Sequence, residues 1–184
     1  MAKRVLVVLA QGAEEMEAVI TIDVLRRAGI DVTAAGLDGA GPLTCSRGVK
    51  LVPDCALAAV QAPFDLIVLP GGSEGTERLA KSAALGKLLH EQEHERRDIA
   101  AICAAPTALA AHGIGKGKRM TAYPGCEGKL AGHARYENAV VIADGHVITS
   151  RGPGTAVEFA LALVERLAGR EKAEATRKQL VLPH

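Results

Sequence analysis

The sequence predicts an α/β fold in which a doubly wound, mainly parallel sheet carries helices on both faces. Runs of consecutive apolar, often β-branched residues, such as those at 4–9 and 64–69, are typical of strands buried on both sides. Segments with helical patterns alternate with these runs through most of the chain. With 184 residues, the chain fits one domain that spans residues 1–184.

The individual elements follow from their start and stop signals. A helix is expected from Glu14 to about Ala28, where Gly29 ends it. Gly145 follows Asp144 between two apolar runs, which predicts a tight hairpin. The other expected elements are strands at 31–36, 64–69, 99–102 and 119–123, a short hairpin at 42–52, helices at 74–79, 84–96 and 156–167, a final polar helix, and an apolar tail at 180–183 that packs on the body or on a partner.

Composition excludes several classes of function. The 22 basic and 21 acidic residues leave a net charge of +1, so neither a nucleic acid nor an anionic membrane surface is an expected partner. Only two Tyr and two Phe are present, without Trp, which leaves few rings for base stacking. The four cysteines have no metal-binding spacing, so no metal site is expected. A reducing, cytoplasmic setting is the simplest inference.

Cys103 lies where the apolar strand ends and an alanine-rich helix begins near Pro106. Open α/β sheets place their sites at this carboxyl edge, and the start of a helix favours a thiolate over a thiol. The alternative is a small cysteine buried in the core. The junction itself leaves these two interpretations about equally supported.

Glu17 is the second candidate residue. It shares one stripe of the predicted helix with Ile20, Thr21, Val24 and Ala28, and that stripe is expected to face the sheet. A carboxyl group there would be partly desolvated, which raises its pKa toward a value useful for proton transfer. The alternative is that all the acidic residues of this first turn only complement the helix dipole.

Three strand ends are expected to converge at one edge of the sheet. Gly71 and Gly72 end one strand, where bare backbone can approach a ligand and its N–H can bind an oxyanion. Cys103 ends the next strand, and Glu17 follows the first. His112 lies on the order of 10 Å from Cys103 along the helix, so Glu17 is the better partner for the thiol.

At these residues the chain resembles the ThiJ/PfpI superfamily, especially its DJ-one branch. The similar stretches span nearly the whole chain in the family's order. They are Gly-Ala-Glu-Glu-Met-Glu at 12–17, Asp-Val-Leu-Arg-Arg-Ala-Gly-Ile at 23–30, Cys-Ser-Arg at 45–47, Val-Leu-Pro-Gly-Gly at 68–72, Ala-Ala-Ile-Cys-Ala-Ala-Pro-Thr at 100–107 and Thr-Ser-Arg-Gly-Pro-Gly-Thr at 149–155.

The resemblance implies a flavodoxin-like fold with an extra C-terminal helix, a homodimer, and no cofactor. It implies that Cys103 is a reactive thiolate on a strained nucleophile elbow. Glu17 would be a protonated carboxyl bonded to it, and the N–H groups of Gly72 and Ala104 would form the oxyanion site. The resemblance also implies further residues near the pocket or the dimer interface: Glu14, Arg27, Arg47, Gly71 and Pro153.

The chain departs from the family where the animal member carries a histidine near the thiol. Tyr123 stands there, within Thr-Ala-Tyr-Pro at 121–124. This change removes the basis for any Cys–His pair and leaves the pairing of Cys103 with Glu17 untouched. Tyr123 is expected either to line the pocket or to serve as an aromatic packing residue.

The resemblance implies a glutathione-independent glyoxalase that converts methylglyoxal to lactate, with deglycase activity on early glycation adducts. Its partners would be small reactive carbonyl compounds. The alternative is a sensor of oxidative stress or a redox-regulated chaperone, in which the same thiol oxidises to a sulfinate. Both functions depend on one activated cysteine.

Overall fold

The structure, a computed structural model, describes residues 3–182 and contains a central sheet of seven strands. The strands of the chain are β1 (Arg4–Leu9), β2 (Asp31–Gly36), β3 (Leu43–Thr44), β4 (Lys50–Leu51), β5 (Cys55–Ala56), β6 (Leu66–Leu69), β7 (Asp98–Ile102), β8 (Arg119–Met120), β9 (Arg135–Tyr136), β10 (Val141–Asp144) and β11 (Val147–Ser150). The helices are α1 (Glu15–Arg27), α2 (Ser73–Lys81), α3 (Ala83–His94), α4 (Pro106–Ala111), α5 (Glu127–Leu130), α6 (Ala156–Ala168) and α7 (Arg170–Gln179).

The central sheet has the order β10-β11-β7-β6-β1-β2-β5. All its pairs are parallel except β10 and β11, which form the predicted hairpin. The two turn residues are Gly145 and His146, one position later than expected, because Asp144 still pairs with Val147. The mainly parallel, doubly wound α/β fold is therefore confirmed. The strand order reverses between β6 and β1. From β1 the chain continues outward through β2 and β5, and from β6 it continues outward on the other side through β7. Such a switch point is where these folds place ligands.

Side chains of each central strand alternate between two separate hydrophobic clusters. In β1, Val5 and Val7 face the cluster that α1 and α6 cover, and Leu6 and Val8 face the cluster that α2, α3 and α4 cover. This period of two, with both sides apolar, explains why the strands appear in the sequence as unbroken apolar runs. Helices therefore lie on both faces of the sheet.

The C-terminal part of the chain adds the expected extra helix, α7, which packs on α6. Leu180 and Leu182 of the apolar tail pack against the cluster under α1 and α6, whereas Pro183 lies outside the described residues. Among residues 3–182, no helix is both long enough and apolar enough to cross a membrane.

The strand expected at 119–123 is shorter in the structure and ends at Met120. Beyond it, Thr121 N–H donates to the hydroxyl of Thr149, and Tyr123 N–H donates to the carbonyl of Cys103 at 2.8 Å. Hydrogen bonds to the neighbouring strand ends thus replace a regular ladder. The same bonds bring this segment beside Cys103.

Candidate active site

Three strand ends meet at the carboxyl edge of the sheet. Strand β6 pairs with both β7 and β1, and Leu69 lies opposite Ala101 in the register of β6 and β7. Two residues later on each strand, Gly71 therefore lies beside Cys103. The helix α1 that carries Glu17 begins shortly after the end of β1. The convergence predicted from the sequence is thus present in the structure.

Cys103 occupies a tight turn between β7 and α4. Its φ is +64°, a left-handed conformation that residues with a side chain seldom adopt. Its N–H donates to the carbonyl of Ser150 at 3.0 Å, and Ala105 N–H donates to the carbonyl of Ile102 at 3.1 Å. The neighbouring strand and the start of the helix therefore hold a strained residue in place, as in a nucleophile elbow.

Glu17 lies beneath this turn with none of its surface exposed. Its Oε2 accepts a hydrogen bond from Gly71 N–H at 2.7 Å, whereas its Oε1 is buried without a hydrogen-bond partner among the described residues. Burial raises the pKa of Glu17 to about 7, against the lowering effect of Gly71 N–H and the Cys103 thiol. This carboxyl therefore holds its proton far more readily than an exposed glutamate.

The Cys103 thiol is buried apart from 8% of its residue surface. Burial, and then the charge of an ionised Glu17, raise the pKa of Cys103 to about 12. The backbone N–H groups of Gly72 and Ala104 act in the opposite direction by donating to the sulfur. Desolvation beside a carboxylate therefore opposes the preference for a thiolate that the helix start provides. A thiolate here requires that Glu17 keep its proton.

Glycine is required at both positions that follow β6, because neighbouring atoms lie too close to the backbone to admit a Cβ. A Cβ at Gly71 would lie 2.5 Å from Cys103 Cβ and 2.8 Å from Glu17 Oε2. Gly72 has a φ of +89°, and a Cβ there would collide with the carbonyl oxygen of Gly12. The absence of side chains thus lets the N–H groups at 71 and 72 reach the carboxyl and the thiol.

An open cleft of about 1020 Å³ lies over the thiol. Of the residues expected around the pocket, it is lined by Glu14, Arg47, Gly72, Cys103, Ala104, Tyr123 and Pro153. Tyr123 is half exposed, and its ring lies 3.3 Å from the position that a Cβ would take at Gly152. Tyr123 therefore both lines the cleft and packs on its wall.

Arg27 does not line the cleft. Its guanidinium pairs with the carboxylate of Asp23 at 2.8 Å, one turn earlier on the outer side of α1. Both side chains are about half exposed. Arg27 therefore does not contribute to the cleft of its own chain, and the dimer interface remains the predicted place for it.

Glu15 is a site residue that the sequence reasoning missed. Its buried carboxylate accepts hydrogen bonds at 2.8 Å from the hydroxyl of Ser46 and from Arg47 N–H. Burial raises its pKa, but these and other N–H donors outweigh that effect and hold the pKa below its ordinary value. Glu15 thereby fixes the hairpin turn that carries Arg47 over the cleft. The helix dipole was sufficient to explain a glutamate at this position, so nothing in the sequence singled it out.

Other lining residues also carry no signal in the sequence. They include Glu74, Glu77, Thr107, Cys126 and Lys129.

Among residues 3–182, no group of three or more histidine, cysteine, aspartate or glutamate side chains is arranged to hold a metal ion.

Comparison with known proteins agrees with this fold. Residues 3–166 match the DJ-1/PfpI family. The chain is 53% identical to the Parkinson disease protein 7 homolog of Danio rerio over 98% of the chain and 97% of that protein, and 44% identical to the glutathione-independent glyoxalase DJR-1.2 of Caenorhabditis elegans over 94% and 92%. The crystal structure of Drosophila melanogaster DJ-1beta superposes with a TM-score of 0.98 at 50% identity and covers all of both chains. The chain belongs to the DJ-1/PfpI family.

Proposed function

We propose that this protein is a cysteine-dependent glyoxalase that needs no cofactor and converts methylglyoxal to lactate without glutathione. One observation carries the proposal: a fully buried carboxyl with a pKa near 7 lies beside a strained, cleft-facing cysteine. Such a carboxyl both takes and returns protons near neutral pH. Its position beside a nucleophile suits a reaction that moves a proton between two adjacent carbons.

The first step is addition of the Cys103 sulfur to the aldehyde carbon of methylglyoxal. The S–C bond forms as the C=O double bond opens, and the thiol proton ends on the new hydroxyl group of a hemithioacetal. The N–H groups of Gly72 and Ala104, which point at the sulfur, lie close enough to stabilise the oxyanion that develops next to it. The addition creates no net charge, which suits a buried site.

The second step is an internal oxidation and reduction. Glu17 takes the proton from the former aldehyde carbon, and the electron pair forms an enediol with the neighbouring carbon. The oxygen of the neighbouring carbon takes up the hydroxyl proton of the first carbon, and Glu17 returns its proton to the neighbouring carbon itself. A thioester then remains at the first carbon and a hydroxyl group on the second. Water then cleaves the C–S bond, which releases lactate and restores the thiol, so no external oxidant or reductant is consumed.

The comparisons support this assignment through one relative that is itself named a glutathione-independent glyoxalase. A deglycase activity follows from the same chemistry. An early glycation adduct carries oxygen and a nitrogen or sulfur substituent on the former aldehyde carbon. The Cys103 sulfur bonds to that carbon as its bond to the nitrogen or sulfur breaks, and the thiol proton leaves with the released amine or thiol, which gives the same hemithioacetal. The cleft is far larger than a three-carbon substrate, so it has room for such an adduct.

The test is lactate formation from methylglyoxal by the purified protein. We expect Cys103→Ser to lose at least about a thousandfold in kcat/KM, because a hydroxyl beside Glu17 is a far weaker nucleophile. Cys55→Ser is the matched control, since Cys55 lies on β5 and does not line the cleft. Equal rates for the wild type and Cys103→Ser would refute the proposal. Deglycase activity is assayed on a purified adduct with free aldehyde trapped.

The alternative function is a sensor of oxidative stress or a redox-regulated chaperone. The supporting observation is that Cys103 opens into the cleft while two N–H donors and Glu17 surround its sulfur, an arrangement that also stabilises a sulfinate. Peptide mass spectrometry after mild peroxide treatment tests it. Oxidation of Cys45, Cys55 or Cys126 ahead of Cys103 would exclude this alternative.

A homodimer is proposed through an apolar strip made of Met16, Val19, Val49 and Val52. Each of these side chains is at least 46% exposed, although the strip adjoins the site. Glu15 binds the hairpin turn and so joins α1 to the segment that carries Val49. A second copy that covers the strip would bury these groups.

The four cysteines of the described residues are free, which fits the reducing cytoplasm.

A further inference from the structure

Cys126 lines the same cleft as Cys103, and the glyoxalase chemistry does not use it. It is a free cysteine, partly exposed, at the residue before α5. A second thiol in the cleft of a reactive cysteine has a chemical consequence, because an oxidised cysteine is attacked by any thiol that can reach it.

Two hydrogen bonds tie Cys126 to the nucleophile turn. Tyr123 N–H donates to the carbonyl of Cys103 at 2.8 Å, and Cys126 N–H donates to the carbonyl of Tyr123 at 3.0 Å. The short turn from Tyr123 to Cys126 is therefore anchored on the backbone of Cys103. Helices α4 and α5, which follow the two cysteines, also contact each other.

Cys45 is the third cysteine of the cleft and the competing partner. Only 4% of its surface is exposed, and it packs within the hydrophobic cluster under α1. Burial, with the charges of Glu15 and Glu14, raises the pKa of Cys45 to about 11. Burial also raises the pKa of Cys126, Lys129 acts in the opposite direction, and Glu127 raises it further. Cys126 is thus the more exposed thiol and the one beside a cation.

We propose that Cys126 is a resolving thiol that closes a disulfide with oxidised Cys103. The O–O bond of a peroxide first breaks as one oxygen passes to the Cys103 sulfur and gives a sulfenic acid, and the other oxygen leaves with the thiol proton as water or alcohol. The Cys126 sulfur then attacks the Cys103 sulfur, the S–O bond breaks, and the hydroxyl leaves as water. The proposal rests on Cys103 being the reactive thiol of the proposed function.

The exposed tip at Pro124 and Gly125 is the part of the turn that moves to close the bridge, which needs a Cα separation of about 4.4–6.8 Å. Gly125 already has a φ of +94°, and a Cβ there would meet nothing within 4 Å, so the tip has open space around it. The disulfide would block access to Cys103 and spare it from oxidation to the sulfinate. A thiol reductant would restore the open cleft.

The experiment treats the full-length protein with one equivalent of hydrogen peroxide and maps its peptides by mass spectrometry without reduction. It compares the wild type with Cys126→Ser, Cys45→Ser and Cys55→Ser. We expect a linked pair of peptides containing Cys103 and Cys126 in the wild type, in Cys45→Ser and in Cys55→Ser. In Cys126→Ser we expect at least a fivefold rise in Cys103 sulfinate and loss of recovery of lactate formation on adding dithiothreitol.

The outcomes separate the two proposals. A Cys103 peptide linked to Cys45, or equal sulfinate in the wild type and Cys126→Ser, would overturn the role of Cys126 and leave the glyoxalase proposal standing. A Cys103 that stays unmodified in every variant would overturn the resolving role. If that unmodified protein also forms no lactate, the proposed function fails with it.

Discussion

The carboxyl of Glu17 faces the thiol of Cys103 across the bare backbone of Gly71. A Cβ at Gly71 would lie within 3 Å of both side chains, and Gly71 N–H holds the carboxyl at 2.7 Å. Burial raises the pKa of both groups, so ionising either of them is unfavourable. The pair is therefore suited to chemistry in which protons move together with bond formation.

Replacing Glu17 by Gln should remove the proton carrier while keeping the shape of the site. We expect kcat for lactate formation to fall by about 10²–10⁴-fold, because an amide cannot take the proton from the hemithioacetal carbon. Steady-state kinetics measure the effect, and Glu165→Gln, which changes an exposed glutamate of α6, is the matched control. A similar loss in both variants, or none in Glu17→Gln, would contradict the assigned role.

The buried carboxyl should also make stability depend on pH. The pKa of Glu17 rises on folding from an ordinary value of 4.5 to about 7, so the folded state binds this proton more tightly than the unfolded state. The stability contributed by the protonated group is complete below pH 4.5 and is lost as pH rises through about 7. The loss amounts to about 3 kcal/mol.

Urea unfolding of the wild type and Glu17→Gln between pH 4.5 and 8 measures this dependence. The amide does not titrate, so we expect the free energy of unfolding of the wild type to fall relative to that of the variant as pH rises. Parallel pH profiles for the two proteins would show that Glu17 ionises in the folded protein at its ordinary pKa.

A methyl group at Gly71 should damage both stability and activity. In Gly71→Ala the new Cβ would press on Cys103 and on the Glu17 carboxyl, and we expect a loss of about 1–3 kcal/mol in the free energy of unfolding. Gly128→Ala is the control, because a Cβ there would meet nothing within 4 Å. The midpoints of urea unfolding compare the two variants. A Gly71→Ala protein as stable as the wild type would show that the neighbouring side chains shift to accept the methyl group without a loss of stability.

The apolar strip should determine the oligomeric state. Val19→Glu places a charge on the strip, and we expect the dimer to dissociate at least tenfold more readily, because a buried, unpaired carboxylate is costly. Val140→Glu changes a valine that is about as exposed as Val19 but lies just before β10, outside the strip. Light scattering coupled to gel filtration gives the mass of each protein. Dimers of equal strength in both variants would place the interface elsewhere.

Local patterns in the sequence were enough to predict the fold class and the address of the site. Apolar runs marked the buried strands, and parallel strands bring their carboxyl ends to one edge, so Cys103 and Gly71 had to share that edge. The helical stripe likewise turned Glu17 toward the sheet. These features depend on the period of a helix or strand, which neighbouring residues alone determine.

Only the tertiary structure decided the electrostatics and the outer wall of the site. The pKa of Cys103 depends on how deeply its sulfur is buried and on the charge of a carboxyl from a distant helix, and no local pattern measures either. For the same reason the sequence could not reveal that Glu15 binds the turn at Ser46, that Arg27 lies away from the cleft, or that Cys126 returns to it. Such contacts join segments far apart in the chain, and they exist only when the whole fold has brought those segments together.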